Sequence, residues 1–216
     1  MTSLHVAADE PPEAARVART VARVLDESGM LRGERVVIGV AGESGSGKST
    51  TATALARELE GDRRPGLVLY QDDYFIRPPR TNHEFRMQDI AAVGPHEVDL
   101  SRLAEHVADF RAGRDGISVP TVDYPANVFR TRVVDFAAAR VLVVEGTYVL
   151  TLPDLDARVF MAATYHDTRA RRVARARDVD SPFVERVLGI EHEIIARQAA
   201  VADVVIDREF AVRRAG

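Results

Sequence analysis

Nine consecutive residues constrain this chain more than any other stretch. Gly42-Glu43-Ser44-Gly45-Ser46-Gly47-Lys48-Ser49-Thr50 satisfies the phosphate-loop pattern Gly-x-x-x-x-Gly-Lys-Ser/Thr at every fixed position. The flanks supply the context that the pattern needs. Arg35 to Ala41 is a β-branched run that reads as a buried strand, and Thr51 to Leu59 reads as a helix. Between a strand and a helix, glycines let the backbone curl until successive N–H groups face one point, and the helix dipole adds its positive end. In this reading Gly42, Ser44, Gly45, Ser46, Gly47 and Thr50 cradle a triphosphate. Lys48 reaches its β- and γ-phosphates, and the Ser49 hydroxyl holds Mg²⁺. Lys48 is also the only lysine among 29 basic residues. Arginine serves everywhere else, and the one compact ammonium stands where phosphate is to be met.

The rest of the composition narrows the setting. A length of 216 residues with 46% hydrophobic content suits one domain, 1–216, with a self-sufficient core. A net charge of −4 argues against a nucleic-acid partner. The absence of cysteine excludes disulfides, thiolate metal sites and a thiol nucleophile. No apolar run is long enough to span a membrane, and Asp9, Glu10 and Glu13 stand where a signal peptide needs a basic and then apolar stretch. A cytoplasmic location is expected, with no membrane partner, and a homo-oligomer is left open.

In chain order, 1–12 reads as a flexible lead-in and 13–29 as an N-terminal helix with apolar residues at helical spacing. Gly61 to Gly66 is a turn cluster and Leu67 to Tyr70 a second strand. From Ile76 to Asp99 periodicity is lost, and Pro78, Pro79, Gly94 and Pro95 argue for a long functional loop. Ser101 is expected to cap a helix ending at Gly113. Ile117 to Asp123 and Arg132 to Phe136 read as strands bracketing a small excursion, and Arg140 to Val144 and Ala157 to Ala162 as further apolar strands. Asp167 to Asp178 is helical by composition. Pro182 opens a helix running to about Val201, and Asp203 to Ile206 closes the series as a strand. Alternation of apolar strands with helices predicts an α/β fold: a parallel sheet of about five strands with helices on both faces.

Such sheets bind ligands beyond the carboxyl ends of their strands. Three strands end in distinctive groups: the phosphate loop, then Asp72-Asp73, then Glu145. A carboxylate near a γ-phosphate can carry Mg²⁺, and one facing a hydroxyl can take its proton during in-line transfer. Asp72 is assigned the base role with a share in the metal shell, and Glu145 the metal shell. Five arginines (169, 171, 172, 175, 177) fall within nine residues. As a solvated helix face they need nothing further, and a nucleic-acid stripe would need interleaved aromatic residues that are missing. Beside a phosphate loop they are expected to form a lid over 167–178 that brings positive charge to the transferring group.

The series Gly42–Thr50, Gln71-Asp72-Asp73-Tyr74-Phe75, Pro120…Asp123, Val143-Val144-Glu145-Gly146, Asp167-Thr168-Arg169…Arg172-Val173 and Ala202-Asp203-Val204-Val205-Ile206 resembles uridine kinases and the wider uridine kinase/phosphoribulokinase group. The resemblance covers Arg35 to Asp207. It implies a P-loop kinase core over 35–207 using ATP and Mg²⁺, with Asp72 as catalytic aspartate, Ser49 and Glu145 in the metal shell, and Arg169 and Arg172 as lid arginines. The chain departs from that group on the acceptor side. Where uridine/cytidine kinases have a Tyr-Asp pair followed by a histidine and an arginine that grip the pyrimidine, this chain has Val122-Asp123 and then Asn127, Phe129 and Arg130. The Asn-x-Asp-His-Pro loop is absent. Phe75, Asp123, Tyr124, Phe129 and Arg130 are the candidates for the acceptor pocket.

The expected activity is ATP-dependent phosphorylation of a hydroxyl on a small metabolite, with a nucleoside first. Pantothenate, glycerate or a sugar phosphate are the alternatives. A phosphate-loop switch is a further rival, but its base-reading Asn-Lys-x-Asp motif cannot occur in a chain whose only lysine is Lys48.

Overall fold

The computed structural model describes residues 11–60, 65–174 and 181–215. Strand β1 (Val36–Gly42) is buried along all seven residues, as a continuous apolar strand must be when both sheet faces are covered. It pairs in parallel with β5 (Val141–Gly146) on one side and β6 (Ala157–Met161) on the other. β2 (Gly66–Tyr70) adds beyond β5, and β7 (Val204–Ile206) beyond β6. The five parallel strands thus run in the order β2-β5-β1-β6-β7. A sixth strand, β8 (Val212–Arg214), pairs antiparallel with β7 at the edge. It was not anticipated, because three residues with two arginines carry no strand pattern.

The alternation of β1 side chains separates two apolar layers. Val36, Ile38 and Val40 face α1 (Pro12–Glu27) and α2 (Lys48–Glu58), and α1 meets them with Ala14, Val17, Ala18, Val21 and Leu25. Val37 and Ala41 face the other layer, where α4 (Leu100–Arg111) contributes Leu103, Val107 and Phe110. Full burial of each such side chain stabilises the fold by about 1.5–3 kcal/mol. Among the described residues no helix is long and apolar enough to cross a membrane.

Between β2 and α4 the expected structureless loop is absent. The chain instead forms α3 (Pro79–Gln88) and two 3₁₀ turns, Ile90–Ala92 and Pro95–Glu97. Pro79 starts that helix rather than breaking one, since a first-turn residue has no helical partner for an N–H. Only Asn82 of α3 is buried, so no apolar period announced it. Helix α4 is capped by Asp99, which accepts from Arg102 N at 2.9 Å, and not by Ser101. The acceptor-side excursion is a hairpin of β3 (Ile117–Asp123) and β4 (Val128–Val134) paired in register apart from the main sheet. Helix α5 (Tyr165–Ala174) begins two residues before the expected lid; the rest of that segment, with Arg175 and Arg177, lies outside the described residues. Helix α6 (Pro182–Ile195) continues as a 3₁₀ turn over Ala196–Val201. Most of the expected lead-in, 1–10, also lies outside the described residues, and α1 already begins at Pro12.

Candidate active site

The phosphate loop leaves β1 at Gly42, where a Cβ would stand 2.8 Å from Ser46 Oγ and 2.9 Å from Met161 Cβ. Gly45 (φ +76°) and Gly47 (φ +97°) adopt the left-handed conformation that side chains rarely tolerate. Helix α2 then starts at Lys48, three residues before the expected Thr51, so Lys48, Ser49 and Thr50 occupy its first turn, where backbone N–H groups have no helical acceptor. The Ser46 hydroxyl is buried with no hydrogen-bond partner. An orphaned hydroxyl among inward-turned backbone amides suits a phosphate oxygen, which would satisfy it.

The strand register brings the expected carboxylates to this loop. Glu145 of β5 lies level with Val40 of β1 and Tyr70 of β2, so the ends of three neighbouring strands meet. Lys48 Nζ stands 3.7 Å from Glu145 Oε1, and Ser49 hydrogen-bonds the same carboxyl group. Burial raises the Glu145 carboxyl, the Lys48 charge and the Ser49 hydroxyl oppose it and the Asp72 charge adds to it, and the balance holds it at about 7. A divalent cation would reverse this balance. Among the described residues no three His, Cys, Asp or Glu side chains form a metal cage. The donors that are present, the Ser49 hydroxyl and the Glu145 carboxylate, fit Mg²⁺, which takes one or two carboxylates and otherwise waters and substrate phosphates.

Asp72 is exposed on the 3₁₀ turn Gln71–Tyr74 that follows β2, and its Oδ2 lies 3.5 Å from the Tyr124 hydroxyl. Its neighbours fix it there. Gln71 is fully buried, donates to Thr147 Oγ1 at 2.8 Å and accepts from Tyr148 N at 2.7 Å, which ties the end of β2 to the end of β5. Asp73 accepts from Val122 N at 2.7 Å and anchors the β3–β4 hairpin. The paired acids therefore divide: one holds the scaffold, the other faces outward.

The expected acceptor residues are less unified. Asp123 accepts from Arg130 Nε at 2.8 Å and from Ala126 N at 3.0 Å, and these bonds hold its carboxyl below the usual range. Tyr124 is exposed, Phe129 is half-buried opposite Val122, and Phe75 packs against the core. Asn127, at a φ of +55°, accepts from Arg80 N at 2.8 Å and donates to Thr81 Oγ1 at 3.3 Å, while Arg80 Nη2 donates to Pro125 O at 3.1 Å. The turn of the hairpin is thus clasped to α3.

Of the lid arginines, Arg169 is exposed on α5 and Arg172 is buried. Arg172 donates to Tyr165 O at 2.9 Å and to Glu185 Oε1 at 3.1 Å, and its Cγ would meet a Cβ at Gly45 at 2.9 Å. Thr168 Oγ1 donates to Ser44 O at 2.8 Å. Helix α5 therefore packs directly on the phosphate loop. Sequence reasoning missed the residue that completes this seam. Glu43, a variable position of the loop pattern, accepts from Tyr165 N at 2.6 Å and bonds His192 Nδ1 at 2.7 Å. Nothing in the spacing of Glu43, Tyr165 and His192 could have signalled that meeting.

A phosphate loop, a lysine, a serine hydroxyl and carboxylates at the carboxyl edge of a parallel sheet define the chain as a P-loop phosphotransferase. Residues 37–211 match the Phosphoribulokinase / Uridine kinase family, and the chain belongs to it. Kinases of this family use ATP with Mg²⁺, and the chain is accordingly an ATP-dependent kinase of a small metabolite. One relative, the bifunctional alpha-galactosidase/sucrose kinase AgaSK of Mediterraneibacter gnavus, is 33% identical over 192 residues. The match takes in 82% of this chain but 20% of that protein. The uridine kinase of Proteus mirabilis is 27% identical over 190 residues, with 80% of this chain and 86% of the relative covered. Among solved structures, a protein assigned as a fructose transport system kinase from Silicibacter sp. TM1040 shares the fold. Its TM-score is 0.57 at 21% identity, over 87% of this chain and 93% of that one.

Proposed function

We propose that this kinase phosphorylates a hydroxyl of a free sugar, with Asp72 as the base. The observation that carries the acceptor reading is the fate of Asn127. It stands among the residues that replace the pyrimidine grip, and its amide oxygen and nitrogen are already bonded to Arg80 N and Thr81 Oγ1, which holds it against α3. The sucrose kinase relative supports the same direction.

In this reading the loop amides and Lys48 hold the β- and γ-phosphates, and the Ser46 hydroxyl gains the partner it lacks. Ser49 and Glu145 would hold Mg²⁺, with Asp72 within electrostatic reach; bound there, the ion neutralises charge on the phosphate oxygens. Asp72 accepts the proton of the acceptor hydroxyl as that oxygen bonds to the γ-phosphorus and the bond to the leaving diphosphate breaks. Arg169 brings positive charge to the transferring group. Arg172, read from the sequence as catalytic, acts here as a positioning residue, because its guanidinium joins α5 to α6.

Phe75, Asp123, Tyr124, Phe129 and Arg130 remain acceptor-side candidates. Tyr124, whose hydroxyl is near Asp72, is the strongest of them. A nucleoside acceptor is the second reading, and the uridine kinase relatives that match over most of their length favour it. Acceptor-dependent ADP release, screened over free sugars and nucleosides, separates the two. Turnover with uridine or cytidine and none with sugars would end the sugar reading.

A further inference from the structure

Beside the phosphate loop lies a cluster of charged side chains with no part in the mechanism above. Its hub is Arg86 of α3. Arg86 Nε and Nη2 donate to the two oxygens of Glu97, each at 2.7 Å, and Nη2 also donates to Glu191 Oε1 of α6 at 2.9 Å. Glu97, 1% exposed, accepts in addition from Asn82 Nδ2 and Gly94 N, both at 2.9 Å. Two donors on each oxygen saturate it. Glu97 is a structural anchor and nothing more.

The other members of the cluster are not saturated. Among the described residues Glu191 is bonded by Arg86 alone, through Oε1, and Arg86 Nη1 has no acceptor. Tyr148 is 1% exposed, and its hydroxyl has no partner of normal hydrogen-bond geometry. The nearby Thr147 hydroxyl accepts from Gln71 instead. The charges of Glu191, Arg86 and Glu97 all act on Tyr148, which places it within electrostatic reach of the cluster. Among the described residues the Tyr148 hydroxyl and Asn82 Oδ1 are buried without a partner, which is costly unless something else pairs with them, while Nη1 of the partly exposed Arg86 and the second oxygen of Glu191 keep capacity for a further bond.

The chain around the cluster ties it to the reaction centre. Tyr148 follows Glu145 by three residues at the end of β5, and its backbone N–H is held by Gln71, the residue before Asp72. Glu191 precedes His192, which bonds Glu43 of the phosphate loop, and Glu191 lies close enough to Lys48 for the two charges to interact. Through these links the cluster adjoins both Lys48 and the turn that carries Asp72.

We propose that Arg86 Nη1, the second carboxylate oxygen of Glu191 and the Tyr148 hydroxyl form an inner wall of the acceptor site that reads the hydroxyls of an uncharged polyol. The proposal rests on the kinase reading above and adds a charge rule to it. Arg86 is outnumbered by Glu97 and Glu191, and Asp72 adds a further negative charge. The nearby cations Arg130 and Lys48 are each paired with a carboxylate, Asp123 and Glu145. A carboxylate- or phosphate-bearing acceptor meets net repulsion here, whereas vicinal hydroxyls find a donor and an acceptor side by side.

The test measures acceptor-dependent ADP release by the wild type, Glu191→Gln and Tyr148→Phe over glucose, fructose, sucrose, uridine, glycerate, pantothenate and fructose 6-phosphate. Thermal melts with each compound run alongside. A neutral acceptor should be preferred. Glu191→Gln should raise its KM by about tenfold to a hundredfold and Tyr148→Phe by about two- to tenfold, the ranges for a lost charged and a lost neutral hydrogen bond. The KM for ATP should shift less than the acceptor KM, because Glu191 reaches Lys48 as a charge and forms no bond to it. A folded Glu191→Gln with unchanged acceptor KM would overturn the wall, and so would a wild type that prefers glycerate, pantothenate or the sugar phosphate. Should uridine be phosphorylated in place of sugars, the sugar reading falls and the wall is judged by the same KM shift on uridine. If no compound is turned over, the melts decide. A neutral compound that stabilises the wild type but not Glu191→Gln supports the wall, and no such difference refutes it.

Discussion

The phosphate side and the acceptor side of this site are built in opposite ways. The phosphate side is contiguous: β1, nine loop residues and the first turn of α2 make it from backbone amides, two left-handed glycines and one lysine. The acceptor side, on the proposed reading, would be assembled from separate parts of the chain: the turn after β2, helix α3, the β3–β4 hairpin, the end of β5 and helix α6. They are held together by side-chain bonds such as Asp73 to Val122 N, Asn127 to Arg80 N and Arg86 to Glu191. Backbone geometry binds what all kinases of this kind share. Side-chain pairs, each replaceable by itself, would hold the acceptor on the proposed reading, so specificity could change while the phosphate side stays constant.

The sharpest way to break this contrast is Asp72→Asn, which sits where the two sides meet. Turnover should fall by about 10²–10⁴-fold for a lost general base, while ATP still raises the melting temperature. Near-normal turnover would remove Asp72 from the base role. On the acceptor side, Arg86→Ala leaves Glu97 and Glu191 without their cation. It should destabilise the protein by about 3–5 kcal/mol in chemical denaturation, the scale for one partner lost from a buried pair.

The same clasp has a pH signature. Burial alone would raise the Glu97 carboxyl, but hydrogen bonds from Arg86, Gly94 and Asn82 win and hold it below its ordinary 4.5. A depressed carboxyl contributes stability that is fully present above the unfolded value and is lost as pH falls through the folded one. Glu97→Gln should therefore flatten the loss of stability below pH 4.5, as read by acid unfolding followed with circular dichroism.

Smaller effects sharpen the contrast further. Gly45→Ala forces a Cβ into a left-handed residue 2.9 Å from Arg172 Cγ and should cost about 1–2 kcal/mol, together with weaker ATP binding. Asn127→Ala removes the clasp on the hairpin turn and should cost about 0.5–1.5 kcal/mol, with acceptor KM moving more than ATP KM.

The boundary between what could be read from the chain and what could not follows the same division. The phosphate loop, the five parallel strands and the carboxylates ending β2 and β5 were legible, because a strand's apolar run and a loop's glycines are local and periodic signals. Helix α3 was not. Its buried member is Asn82, and its prolines look like breakers until their first-turn position is known. Glu43 and Tyr148 were missed for another reason. One stood at a variable position of a known pattern and the other two residues past a known strand end, and neither carries a signature in spacing.

What the sequence determined by itself is therefore the local frame of the candidate site: the loop and its glycines, Lys48 and Ser49 at the start of a helix, and the strand-end acids, all fixed by short-range geometry. Only the tertiary structure decided which acid is exposed and which anchors, that Arg172 is committed to Glu185, and that Arg86 of α3 meets Glu191 of α6. Those outcomes depend on contacts between residues from 13 to more than 100 positions apart. Nothing in the order of the residues encodes such distances until the sheet and its covering helices bring them together.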